Sequence, residues 1–168
     1  TPTAKFLAAN AERWKAQLAI VARIFPEARP LVQALEDPGV VGRYALVQGR
    51  TYLSGVRMNA YVPPLNFFTD RNAGLLVLLT LLTDADPEGW SRASAAGLSK
   101  RFHVSRTHLI TLLRDALQAG HLERREENLY RVTRAMRDAA EEFIAGVYIV
   151  SAVTARGVLA EASDRRAA

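Results

Sequence analysis

A chain of 168 residues, 49% hydrophobic and 23% charged, has the composition of a soluble globular domain, which excludes a disordered or fibrous protein. The sequence contains no cysteine, so disulfides and cysteine metal sites are excluded, and we expect a reducing, cytoplasmic location. The net charge is +1 over residues 1–90, +5 over residues 91–134 and −1 over residues 135–168. The basic middle segment indicates a polyanionic partner, with nucleic acid ahead of membrane or acidic protein; a solvated basic face without a partner is equally compatible.

The first 66 residues are predicted to be helical. Apolar residues recur at helical spacing between Phe6 and Phe25, which indicates a long amphipathic helix over residues 3–25. Prolines between positions 26 and 38 leave room for one short helix at about 30–36. Residues 40–61 fit a helix less well, because glycine, aromatic and β-branched residues dilute the pattern.

A leucine-rich segment follows the prolines at positions 63 and 64. Thr69 or Asp70 is placed to cap a mostly buried helix that runs to about Thr83. The polar sequence DADPEGW after it is expected to form a loop.

Two short amphipathic helices are predicted between residues 94 and 118. Ser94 caps the first, a turn of three residues follows, and Ser105 caps the second. The second helix has an apolar stripe of leucine and alanine, and its opposite side is polar and basic. This is what a helix-turn-helix requires, because its second helix must pack inward while it reaches into a groove.

A β-hairpin is predicted after the second helix. Gly120 ends that helix, and short alternating runs over residues 122–125 and 129–132 flank a turn at Glu126, Glu127 and Asn128.

The order helix, helix, turn, helix, hairpin resembles the winged-helix DNA-binding domain over residues 70–134. The string LSKRFHVSRTHLITLLRDALQAGHLER is similar to that family's pattern of leucine, turn, Val-Ser, recognition helix, glycine and apolar strand. The resemblance implies a mainly α fold with a small β-hairpin wing. His103 stands where the family most often has glycine, at a site that favours a left-handed backbone, which histidine tolerates better than most residues.

The resemblance implies that the recognition helix and the hairpin contact DNA. The candidates for base edges are Thr107, His108, Thr111 and Arg114. Arginine can bond guanine with two hydrogen bonds, and threonine can contact the methyl group of thymine.

Other side chains are candidates for the DNA backbone or the minor groove. They are Ser94, Ser105, Arg106, Arg124, Arg125 and Arg131. Serines at helix N-termini and arginines are common phosphate ligands. Glu126 and Glu127 at the hairpin tip would be repelled by DNA, so the hairpin either contacts the duplex or only braces the helix. Each candidate would also be normal as a solvated polar residue.

The sequence offers no support for an enzyme. It lacks a glycine-rich phosphate loop, a His-Glu-x-x-His pair, a Gly-x-Ser-x-Gly motif and a cysteine nucleophile, so we expect no catalytic residues and no cofactor. His103, His108 and His121 are the one candidate metal set. No pair of carboxylates completes a tetrahedral site with them, so three separate surface histidines are the favoured interpretation.

A long C-terminal helix is predicted from Thr133 to about Ala162. Its sequence FIAGVYIVSAV is apolar on nearly every face, and a chain of this size rarely buries such a helix alone. A homodimer built from both terminal helices is the simplest account. The longest apolar runs, residues 74–82 and 143–155, are shorter than the ~20 residues of a membrane span, so no membrane association is expected.

Dimerisation helices on either side of a winged helix are similar to the MarR-like family of bacterial transcription regulators. The corresponding regions are residues 1–66 for dimerisation and a ligand pocket, residues 67–134 for DNA binding and residues 135–168 for dimerisation. The resemblance implies a homodimer on a pseudo-palindromic operator and admits a small-molecule effector bound where the regions meet. The Asp-x-Arg element often found in that family's wing is missing.

Two interpretations stay open at this stage. Six aromatic side chains could line an effector pocket, but scattered aromatics more often belong to the core: Trp14, Tyr44, Tyr52, Tyr61, Phe67 and Trp90. The chain could also be a protein–protein interaction module that does not bind DNA, because many winged helices dock proteins and the acidic hairpin tip permits it.

Overall fold

A computed structural model describes residues 3–167, apart from the side chains at positions 4, 59 and 164–167. The fold is mainly helical, with 73% of the residues in helices and 8% in a three-stranded antiparallel sheet. The chain divides into unit 1, residues 1–58 and 144–168, and unit 2, residues 59–143. The sequence-based boundaries lie after residues 66 and 134, whereas in the structure the two terminal segments fold together as one unit.

Unit 1 is helical throughout its described elements. They are α1 (Ala4–Ile24), a 3-10 turn (Pro26–Ala28), α2 (Arg29–Ala34), α3 (Pro38–Leu53) and the C-terminal part of α9 (Arg134–Ala167). The α1 helix begins where the Thr3 hydroxyl accepts a hydrogen bond from the Phe6 N–H at 3.3 Å. The α3 helix begins where the Asp37 carboxylate accepts one from the Gly39 N–H at 2.7 Å, with proline in the first helical position.

The helices predicted over residues 3–25 and about 30–36 are confirmed as α1 and α2. The weaker prediction over residues 40–61 is correct only in part. Within that range α3 ends at Leu53, and a separate short helix, α4 (Met58–Tyr61), follows a turn. The turn includes Gly55 at φ 98°, a conformation that side chains other than glycine rarely adopt.

The core of unit 1 contains residues from its N-terminal helices and from the C-terminal part of α9. The buried residues are Ala11, Trp14, Leu18, Val21, Ala22, Ala28, Leu31, Leu35, Val40, Val41, Tyr44, Ala152, Ala155 and Val158. The Gln17 side chain donates a hydrogen bond to the Ser151 hydroxyl at 2.5 Å. The Arg156 guanidinium pairs with the Glu27 carboxylate at 2.6 Å. Apolar and polar contacts together therefore hold α1 against α9.

The α9 helix is the longest element, and it contributes residues to both units. Residues 134–163 are long and apolar enough to cross a membrane by length and composition alone, with a mean hydropathy of 1.8 over 18 residues, of which 28% are buried in the fold. The apolar run of residues 143–155 is shorter than this segment because Glu142 and Arg156 bound it, but neither charged residue ends the helix. The expectation of no membrane association stays a prediction.

Unit 2 combines short helices with a small sheet. Its elements are the rest of α4, a 3-10 turn (Pro63–Leu65), α5 (Asn66–Thr69), α6 (Gly74–Thr83), β1 (Trp90–Arg92), α7 (Ala95–Phe102), α8 (Arg106–Gln118), β2 (Leu122–Glu126), β3 (Leu129–Val132) and the start of α9. The strand order is β1-β3-β2, and both pairings are antiparallel.

Two features of unit 2 were not predicted from the sequence. Thr69 or Asp70 was predicted to cap one helix, but α5 ends at Thr69 and α6 begins only at Gly74, after Ala73 adopts a left-handed backbone at φ 58°. The β1 strand begins at Trp90, the last residue of the predicted loop, and its Ser91 pairs with Tyr130 of β3, where no strand was predicted. Three residues are too few for an alternating pattern to be recognised.

The helix pair and the hairpin of unit 2 are confirmed. The Ser94 hydroxyl accepts a hydrogen bond from the Gly97 N–H at 3.0 Å, and the Ser105 hydroxyl accepts one from the His108 N–H at 3.1 Å. His103 lies between the two helices with φ 55°, as the left-handed site required.

Gly74 is required by a close approach of two backbone segments. A Cβ atom at this position would overlap the main-chain carbonyl oxygen of Phe68, whereas a Cβ at Gly42, inside α3, would meet no atom within 4 Å. We therefore expect Gly74→Ala to lower the free energy of unfolding by about 1–3 kcal/mol through overpacking. Gly42→Ala, the matched control, should raise it by roughly 0.5–1 kcal/mol, because alanine is the better helix former. Urea denaturation measures both values, and equal changes would contradict the assignment.

Candidate nucleic-acid interface

The α8 helix has one face in the core of unit 2 and one face in solvent. The buried face carries Leu109, Leu112, Leu113 and Ala116, each at most 3% exposed. They pack with residues of α6, α7, the sheet and the start of α9. Because this face is buried, the rotation of α8 about its axis is fixed. The residues on the opposite face of the helix therefore point into solvent.

The outward face of α8 lines a groove of about 600 Å³ within unit 2. The start of α7 and the hairpin form its other walls. The residues of α8 that line the groove are Arg106, Ile110, Arg114 and Gln118, which recur every four residues along one side of the helix, together with Leu113 and Leu117. From the other walls it takes Ser94, Ala95, Ala96, Arg124, Glu127, Asn128 and Tyr130. We call this feature the α8 groove.

The structure brings together four of the sequence-predicted candidates in the α8 groove: Ser94, Arg106, Arg114 and Arg124. Arg114 donates hydrogen bonds to the neighbouring Asp115 carboxylate at 3.0 and 3.2 Å, and its side chain is 60% exposed. Within the described part of the chain no carboxylate pairs with Arg106 or Arg124. The groove thus combines two unpaired guanidinium groups with a third whose pairing is weak because it is exposed.

Four other candidates belong to α8, its N-cap or β2 but do not line the groove. Ser105 and Thr107 are exposed at the start of α8, and Thr111 is half-buried one turn later. Arg125 is exposed in β2, beside the bulge between Arg124 and Glu126. All four can reach a ligand larger than the groove itself.

Arg131, another candidate for the DNA backbone, does not line the α8 groove. Its guanidinium pairs with the Glu123 carboxylate, with the Nε atom at 2.9 Å, and stacks over the Trp90 ring at 4.6 Å. Its strand neighbour Tyr130 lines the α8 groove, and successive side chains of a strand point to opposite faces of a sheet. Arg131 therefore stabilises the outer face of the sheet, and the expectation that it contacts DNA with Arg124 does not fit its position.

His108 makes a contact within unit 2, and its role at base edges stays a prediction. Its ring is half-buried, and its Nε2 atom lies 2.8 Å from the main-chain carbonyl oxygen of Asn72. A carbonyl can only accept, so Nε2 carries the hydrogen and donates it. The side chain ties α8 to the turn before α6.

The three histidines have different surroundings. His103 is exposed in its turn, His108 bonds to Asn72, and the His121 ring packs edge-on against Phe67 at 4.6 Å. Among the residues whose positions are described, no group of three histidine, cysteine, aspartate or glutamate side chains could hold a metal ion.

The six aromatic candidates for a pocket are divided between the units. Trp14 and Tyr44 are fully buried in unit 1, with ring centroids 5.0 Å apart, and this favours the core interpretation. Tyr52 and Tyr61 are exposed. In unit 2 Phe67 packs against His121, and Trp90 lies under Arg131. None of the six lines the α8 groove.

Sequence reasoning missed Ile110, which lies between Arg106 and Arg114 in the groove and is 48% exposed. The signal was present, because Ile110 is four residues from each of these arginines and stands outside the apolar stripe of α8. It also missed Tyr130 and Asn128, whose positions depend on the pairing of the strands and could not be read from α8.

Comparisons with protein-family models, with curated proteins and with solved structures find no match to this chain.

His121 gives unit 2 a pH-dependent stability. Burial and, to a smaller degree, the charge of Arg71 lower the pKa of His121 below its usual value. Between that lowered pKa and about 6.5 the unfolded chain holds more protons than the folded one. The stability contributed by neutral His121 is therefore complete above pH ~6.5 and is lost as the pH falls towards the folded pKa.

We expect the free energy of unfolding to decrease as the pH is lowered from 7.5 to 5.5, and the decrease to be smaller in His121→Leu. Urea titrations at several pH values measure both. His103→Gln, which removes an exposed histidine between α7 and α8, is the matched control variant. An unchanged slope in His121→Leu would show that other groups cause the dependence.

Proposed function

We propose that unit 2 is a winged-helix domain that places α8 in the major groove of duplex DNA, and that the protein is a dimeric, sequence-specific transcription regulator. This proposal depends on the α8 groove. Arg106 and Arg114 lie on the exposed face of α8, and Arg124 lines the groove from the hairpin. A helix of 13 residues is about 20 Å long and fits the ~12 Å wide major groove.

The charge of the middle segment supports a polyanionic ligand. Residues 91–134 carry the whole net charge of +5, and the groove draws its arginines from this segment. The capped N-termini of α7 and α8 supply further partial positive charge for phosphate groups, at Ser94 and Ser105.

The residues divide into two roles under this proposal. Arg106, in the first turn of α8, contacts a phosphate, as do Ser94 and Ser105. Arg114 bonds a guanine, with Thr107 and Thr111 beside it as base contacts. Arg124 and Arg125 hold the hairpin against the DNA backbone. The carboxylates of Glu126 and Glu127, of which Glu127 lines the α8 groove, are repelled by phosphate and keep the hairpin tip out of the DNA grooves.

Unit 1 provides the dimer interface under the same proposal. On α9, Ile149 and Val153 are 58% and 53% exposed and lie one helical turn apart. On α1, Ile20 and Ile24 are likewise exposed at 42% and 65%. Apolar surface of this kind is stabilised by a second subunit, and a two-fold dimer would present two copies of α8 to half-sites about one turn of DNA apart.

Salt titration of binding to duplexes selected from a random library tests the DNA-binding proposal. We expect the logarithm of affinity to fall with the logarithm of salt concentration by about 0.9 for each phosphate neutralised. Arg106→Ala should weaken binding to all sequences alike, and Arg114→Ala should cost about 1–3 kcal/mol and relax one base position.

Arg131→Ala is the matched control, because this arginine comes from the same segment but lies on the outer face of the sheet. It should leave affinity and base preference nearly unchanged. Failure of the wild-type chain to bind any duplex at low salt would contradict the proposal. It would favour a protein-interaction module, for which the exposed Ile110 would be the natural contact.

Sedimentation equilibrium tests the dimer. We expect the wild-type chain to be dimeric at micromolar concentration and the double variant Ile149→Lys, Val153→Lys to be monomeric with unchanged helix content, because lysine cannot be buried unpaired. Leu53→Lys, at a residue 86% exposed at the end of α3, is the control and should stay dimeric. A monomeric wild type, or a chain that sediments with lipid vesicles, would contradict the assignment.

A further inference from the structure

We propose that a cleft within unit 1 is a binding site for a small organic cation that carries an apolar body. The cleft lies between α1 and the segment that joins α2 to α3 and has a volume of about 400 Å³. Its role as an effector site rests on the proposed function, whereas ligand binding itself does not. The site differs from the expected effector pocket, because its lining contains none of the six aromatic candidates.

The floor of the cleft is apolar. It is formed by Leu7, Ala8 and Ala11 from α1, with Leu35 and Val41 from the facing segment. Leu35 and Val41 are 1% and 3% exposed and also belong to the core of unit 1. Two small alanine side chains on the α1 side leave the space open. A volume of this size lies in the usual range of small-molecule sites, roughly 300–1,000 Å³, and such sites are usually apolar with a few polar groups.

The rim of the cleft carries one positive and two negative side chains. The Lys15 ammonium lies 3.3 Å from a Glu12 carboxylate oxygen and 3.7 Å from one of Glu36. The Lys15 side chain is 25% exposed, while those of Glu12 and Glu36 are 77% and 79% exposed. One ammonium shared by two carboxylates leaves a net charge of −1 at the mouth.

This distribution decides the charge of the ligand. An anionic ligand would have to compete with two carboxylates for Lys15 and would be repelled by both. A cationic ligand would form an ion pair with Glu36, the carboxylate farther from Lys15, and would neutralise the net charge at the mouth. The next residue, Asp37, does not line the cleft but adds negative charge beside it, since its carboxylate is exposed and accepts a hydrogen bond from the Gly39 N–H. The apolar body of the ligand would then lie on the floor between the two alanines.

Isothermal titration of the full chain with three probes of equal tail length tests this proposal. Octylammonium, octan-1-ol and octanoate differ only in the charge of the head group. At 150 mM salt we expect octylammonium to bind roughly fivefold more tightly than octan-1-ol, as a partly exposed ion pair allows, and octanoate to bind most weakly.

Two variants locate the site. Ala8→Trp fills the cleft and should abolish binding of octylammonium, whereas Ala16→Trp, at an exposed position of α1 away from the cleft, should leave it unchanged. Glu36→Gln should bring the affinity for octylammonium close to that for octan-1-ol without changing the latter. Circular dichroism checks that each variant is folded.

The possible results separate the two proposals. Equal binding of all three probes, or octylammonium binding that survives Ala8→Trp, would overturn the cation site whatever the chain does with DNA. Binding that follows the expected order in a chain that fails to bind any duplex would support the site and contradict the proposed regulator. The same titration on a chain bound to its selected duplex measures whether octylammonium changes DNA affinity, as an effector must.

Discussion

The burial of one face of α8 is the constraint on which the rest of unit 2 depends. Leu109, Leu112, Leu113 and Ala116 are almost fully buried, and fully burying a leucine is worth roughly 1.5–3 kcal/mol. No rotation of the helix can expose this face without losing several such contributions. The outward position of Arg106, Ile110 and Arg114 is therefore a consequence of core packing, and the groove chemistry depends on an interaction that involves no charge.

The β3 strand extends this constraint to the other wall of the groove. It lies in the middle of the sheet, pairs with both neighbours, and alternates its side chains between two faces. Tyr130 faces the groove, and Arg131 joins Glu123 and Trp90 on the opposite side. A shift of the register by one residue would exchange these two positions. The pairing of a short strand thus decides which arginines of the hairpin are available to a ligand.

Sequence patterns predicted those parts of the fold that local chemistry determines. The Ser94 and Ser105 caps, the left-handed backbone at His103 and the apolar stripe of α8 follow from residue type and spacing. The β1 strand and the start of α6 at Gly74 could not be predicted in this way. The first depends on pairing with a strand some forty residues away, and the second depends on contact with the carbonyl of Phe68.

The candidate site was predicted in part for the same reason. Helical spacing placed Arg106 and Arg114 on one face, as the structure has them. It could not show that the His108 ring bonds to Asn72 or that Arg131 stacks on Trp90, because both contacts join residues distant in sequence. The charges at the rim of the unit 1 cleft could not be predicted either, because Lys15 lies in α1 and Glu36 lies in the turn between α2 and α3.

The ion pairs of the basic segment explain why Arg114 is more available to DNA than Arg131, which was a candidate for the DNA backbone or the minor groove. Both arginines pair with a carboxylate, so their net charge alone does not distinguish them. The pair of Arg114 with the adjacent Asp115 is exposed and is worth roughly 0.2–1 kcal/mol, whereas a bidentate bond to guanine discriminates by about 1–3 kcal/mol. Replacing the ion pair of Arg114 and Asp115 with a bond to guanine is therefore favourable.

Arg131 would lose both its ion pair with Glu123 and its stacking on Trp90 if it bound DNA in the α8 groove. It would also have to leave the outer face of the sheet to reach that groove. The surplus charge available to a polyanion is therefore concentrated along α8 and the inner side of the hairpin, where Arg106 and Arg124 have no carboxylate partner among the described residues.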